Sequence, residues 1–121
     1  MTDREELELA AKAAVLDVRW IAECQDYYEH RPHMLPGYWD KWNPRDDDGD
    51  ALRLAVKLGL HARQFPILDN GFDAPLGMVE VWRVDDDDPL HVEFLRSGDD
   101  RLVATRRAIV RAAAAIGRCM E

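Results

Sequence analysis

Aliphatic hydroxyls are nearly missing from this chain: Thr2, Ser97 and Thr105 are its only serine and threonine residues. A hydroxyl nucleophile needs a positioned base beside it, and Thr2 and Ser97 already read as helix caps. Cysteine is equally scarce. Cys24 and Cys119 stand far apart, with no Cys-x-x-Cys between them, so free thiols in a reducing compartment are expected. There is no phosphate-cradling glycine loop and no dinucleotide fingerprint. No apolar run approaches the ~18 residues of a membrane span. The charged N-terminus lacks the basic-then-apolar order of a secretory signal. These absences predict a chain without enzymatic activity, in a reducing cytoplasm.

What is present suits one globular domain. The chain has 121 residues, 47% of them hydrophobic, enough for a core without disulfides or a structural metal. The net charge is −8. Residues 1–50 hold 13 acids and 6 bases, while residues 51–121 hold 11 acids and 10 bases. Such a balance argues against general affinity for nucleic-acid phosphate. It favours solubility or attraction to a partner with a basic surface.

Local patterning gives the order of elements. Thr2 and Glu5 read as a capping box, and Leu7, Ala10, Ala11 and Ala14 share one face of the helix that follows. Leu16, Val18 and Trp20 alternate with Asp17 and Arg19, which suits a strand; a helix running on through Trp20 is the alternative. Residues 23–45 show no sustained period. Pro32, Pro36, Gly37 and Pro44 interrupt them, and they predict a long irregular segment. Asp48 or Asp50 then caps a short helix with an apolar stripe of Ala51, Leu54, Ala55 and Leu58, widened by Leu52 and Val56, and Gly59 closes it. Three strand-like runs follow: 60–68 with Pro66 marking an edge, 77–84 with Val79 and Val81 on one face, and 90–95. Asp69-Asn70-Gly71 signals a turn. Ser97 is the candidate cap of a last helix, whose stripe is Leu102, Val103, Ile109, Val110, Ala113 and Ile116. The fold class is therefore α+β: an antiparallel sheet of three or four strands, helices packed on one face, and a long C-terminal helix.

Candidate chemistry is thin. An EF-hand frame on Asp46-Asp47-Asp48-Gly49-Asp50 with Gly49 at position six puts Pro44 at one and Ala55 at twelve, and both fail. His30 and His33 lack a third ligand at a familiar spacing. No metal or other cofactor is expected. Residues 51–113 follow the α-β-β-β-α order of double-stranded RNA-binding domains. Those place basic residues at the start of the last helix, where this chain has Asp99 and Asp100. The arginines Arg106, Arg107 and Arg111 come later and support only a secondary reading, a nucleic-acid-associated protein.

The string Trp42-Asn43-Pro44-Arg45-Asp46-Asp47-Asp48-Gly49-Asp50-Ala51-Leu52-Arg53-Leu54-Ala55-Val56-Lys57-Leu58 resembles a signature of a family of small bacteriophage and prophage proteins that has no assigned biochemistry. Residues 104–113 resemble a second, weaker segment of that family. The resemblance implies a phage or prophage origin and carries over no catalytic residue. With it, the sequence predicts a non-catalytic binding protein directed at a host or defence protein. An inhibitor of bacterial defence is one concrete form. The expected anchors are the aromatics of segment 27–39, namely Tyr27, Tyr28, Tyr38 and Trp39, because such rings dominate many interfaces. Packing onto the core, or a homodimer contact, would account for the same rings.

Overall fold

The computed structural model describes residues 2–66, 77–95 and 98–120. Helix α1 (Asp3–Ala13) begins at the expected capping box: Thr2 accepts from the Glu5 N–H, and the Glu5 carboxylate accepts from the Thr2 N–H. It ends in a Schellman turn. The Leu16 N–H donates to Ala11 O and the Val15 N–H to Lys12 O, with Val15 at φ 55°. This reversal separates the helical period from strand β1 (Val18–Ile21), so the strand reading of that stretch holds.

Two more strands follow where the sequence suggests irregular chain. These are β2 (Asp26–His30) and β3 (Trp39–Lys41), and they join β1 in an antiparallel sheet of order β1-β2-β3. The prolines and Gly37 are confined to the connection between β2 and β3 and to the turn after β3. They punctuate the hairpin rather than break it. Asn43 forms the turn after β3: its carbonyl accepts from Asp46 and Asp47, and its side chain accepts from the Arg45 N–H.

Helix α2 (Asp48–Leu58) is capped by Asp47, one residue before the first candidate, and ends on Gly59 in the left-handed region. Its stripe is narrower than expected. Ala51, Leu54 and Ala55 are buried, while Leu52 and Val56 are exposed. A second antiparallel sheet then runs β4 (Leu60–Pro66), β5 (Gly77–Arg83) and β6 (His91–Leu95), with β4 at an edge as Pro66 suggests. The Asp69-Asn70-Gly71 turn and Ser97 lie outside the described residues. Asp100 caps helix α3 (Arg101–Cys119), accepting from the Leu102 and Val103 N–H groups.

The α+β class and the long C-terminal helix are therefore borne out, and among the described residues the strands divide into two sheets of three. Helix α3 crosses β4, β5 and β6, and α1 lies along α3. The α3 stripe matches the expected one except at its start. Ile109, Val110 and Ala113 are buried as expected, whereas Leu102 and Val103 are exposed and Ala104, Ala108 and Ala112 join the buried face. Small residues win this face because α1 approaches so closely. A Cβ built on Gly117 would stand 2.0 Å from Leu9 O. One hydrophobic cluster joins both sheets to all three helices, with Trp42, Leu54, Val79, Val81 and Val110 near its centre.

Candidate functional site

The register of the first sheet sorts its side chains into two faces. Arg19 pairs with Tyr28, Tyr28 with Lys41, and His30 with Trp39. These five therefore share one face. Val18, Trp20 and Tyr27 take the other, against the core. On the outward face the Trp39 and His30 rings stack, with centroids 4.7 Å apart, and the Arg19 guanidinium sits 5.1 Å from the Trp39 ring. Asp17 Oδ2 lies 3.5 Å from His30 Nδ1, and Lys41 reaches Asp26 at 3.3 Å. The result is a half-exposed aromatic surface whose rings are fixed by their neighbours.

The four expected anchors are not equivalent. Tyr28 and Trp39 lie half-buried on the outward face. Tyr38, also half-buried, closes the β2–β3 connection: its carbonyl accepts from the Arg31 N–H, and its N–H donates to Leu35 O across the turn at Gly37. Tyr27 belongs to the core, 5% exposed, edge-on to Trp20, with its hydroxyl donating to Glu8 at 2.5 Å. Burial, together with that bond to Glu8, raises the Tyr27 pKa above its ordinary value.

Beside β3 an acidic cleft of about 510 Å³ is lined by Asp40, Asp46, Asp47 and Asp50, with Lys41, Asn43 and Arg53. Asp50 is its buried member. Its carboxylate accepts from the Asn43 N–H at 2.9 Å, from Arg53 at 2.5 Å and from Arg31 at 3.5 Å. Arg31 also donates to Glu29 at 2.9 Å and Asp40 at 2.8 Å. Burial works to lower the Arg31 pKa, but these three carboxylates hold it above the ordinary value.

A second buried carboxylate, Glu93, faces inward from β6. His91 Nε2 lies 2.6 Å from it and Arg107 Nε 3.2 Å, and Arg111 donates to it as well. Burial pushes the Glu93 pKa up, yet the bonds from His91 and Arg111 bring it below the usual carboxylate value. In the sequence Asp50 reads as a helix cap or a failed calcium-loop ligand, and Glu93 does not stand out; their roles depend on arginines distant in sequence, Arg31 for Asp50 and Arg107 and Arg111 for Glu93.

Arg106 of α3 is committed in the same way. Arg106 donates to the Arg45 carbonyl at 2.8 Å and to Asp48 at 2.6 Å, which ties the turn after β3 and the start of α2 to α3. Among the described residues no three His, Cys, Asp or Glu side chains converge as a metal centre, and no helix is long and apolar enough to cross a membrane. Cys24 and Cys119 are exposed free thiols. Comparison with protein-family models, with curated proteins and with solved structures gives no match.

Proposed function

We propose that this chain is a non-catalytic binding protein of phage or prophage origin that docks on a host or defence protein in the bacterial cytoplasm. The observation that carries the reading is the outward face of the first sheet. Tyr28 and Trp39 lie there half-exposed, with Trp39 stacked on His30, beside a cleft lined by four aspartates. Rings held in place lose little entropy on binding and supply large contact area. The acids steer a basic partner toward them. Tyr38 borders the same connection, and Tyr27 supports the sheet from behind.

The reading is tested by affinity capture from infected bacterial lysate, comparing the parent with a Tyr28→Ala, Trp39→Ala double variant of unchanged melting behaviour. The parent retains one protein, released by raised salt, and the variant does not. Equal capture by the folded variant overturns the assignment of the face.

A further inference from the structure

On the opposite side of Arg53 from the acidic cleft, a separate cleft of about 360 Å³ opens between α2 and the β2–β3 connection. Its apolar surface comes from Leu16 and Met34, with the buried Trp42 and Leu54 reaching it only at their edges. Its charged lining is unusual for a protein of net charge −8: Arg31, Arg53 and Lys57 face a single carboxylate, Glu29. Glu29 is already bound by Arg31, and Arg53 is drawn to Asp50. Lys57 and His33 make no hydrogen bond or ion pair among the described residues. The cleft therefore combines an apolar floor with an uncommitted ammonium and an uncommitted imidazole at its mouth. Concave sites of this size, apolar with a few polar groups, are the usual form of a small-molecule site.

We infer that this cleft binds a small carboxylate bearing a compact apolar group. The apolar part lies on Leu16 and Met34, over the edges of the buried Trp42 and Leu54, and the carboxylate meets Lys57, with His33 as a second donor. A dianion is disfavoured because Lys57 is the only unpaired full charge among these lining residues. An apolar cation is disfavoured because Arg31, Arg53 and Lys57 outnumber Glu29 in the lining. The inference is independent of the protein-docking face, since none of these residues lies on the outward side of the first sheet.

The probe is 4-phenylbutyrate, with 4-phenylbutyramide as its neutral counterpart, followed by nuclear magnetic resonance of the Trp42 indole and the Met34 methyl. The expected result is a saturable shift at both groups with Kd on the order of 1 mM or tighter. The amide and Lys57→Ala should each weaken binding about fivefold, and Lys57→Glu should weaken it further. Lys57 is exposed, so these variants retain the fold, and their melting temperatures check that. Absence of a saturable shift overturns the inference, as does equal binding of acid and amide or undiminished binding by folded Lys57→Glu.

Discussion

Val15 occupies a backbone conformation that a β-branched residue rarely takes: it is the left-handed residue of the turn ending α1, at φ 55°, and is 78% exposed. Its side chain therefore contributes strain and little packing. Val15→Gly should stabilise the protein by about 1 kcal/mol, read as a melting temperature several degrees higher. A lower melting temperature would mean that Val15 makes a contact worth more than the strain. Trp42 is the converse case. It is 2% exposed in the cluster that holds Leu54, so Trp42→Ala should cost roughly 3–5 kcal/mol in chemical denaturation. Glu93 adds a dependence on pH. Its pKa is lowered in the folded state, so its contribution is present above the ordinary carboxyl value and is lost as pH falls through the lowered one. Glu93→Gln should destabilise by about 1–3 kcal/mol at neutral pH. The gap between parent and variant should shrink below about pH 4. A gap independent of pH would show that Glu93 acts through shape alone.

At the scale of elements, α1 and α3 are held at a distance that only small residues allow. Gly117→Ala puts a methyl into the Leu9 carbonyl and should cost roughly 1–3 kcal/mol or more, while the exposed Leu102→Ala should cost little. Similar losses in the two variants would place the helices further apart than described. The elements also divide by how visible they are in sequence. The capping box at Thr2, the Gly59 terminus and the Val79/Val81 face of β5 are written locally, in spacing and in single residues. The β2–β3 hairpin is not. Its inward positions include Glu29 and Asp40, which read as solvent-facing until Arg31 is seen between them. Glu93 hides the inward face of β6 in the same way, because its partners Arg107 and Arg111 arrive from α3. The sequence-level stripe on α3 favoured large residues at Leu102 and Val103. The close approach of α1 selects the alanines instead. Of the expected anchors, Tyr28 and Trp39 differ from Tyr27 only by strand register, and register depends on pairings that no single segment contains.

The whole molecule carries its charge unevenly in space. Arg31, Arg106, Arg107 and Arg111 are bound to carboxylates, whereas Asp46, Asp47 and the run Asp85 to Asp88 stay exposed. On the proposed docking to a basic partner, these exposed acids should make association slow as ionic strength rises. The same pairing weighs against the nucleic-acid reading. Duplex RNA at low salt should give no gel shift, and a shift abolished by Arg106→Ala with Arg107→Ala would revive that reading.

The most direct test of the docking account is site-specific photocrosslinking in phage-infected bacteria. A benzophenone side chain is placed at Trp39 on the outward sheet face in one variant and at Leu102 on exposed α3 in another. The account expects a single covalent adduct from position 39 that is missing from position 102. Equal adducts from both positions, or an adduct from position 102 alone, would contradict it.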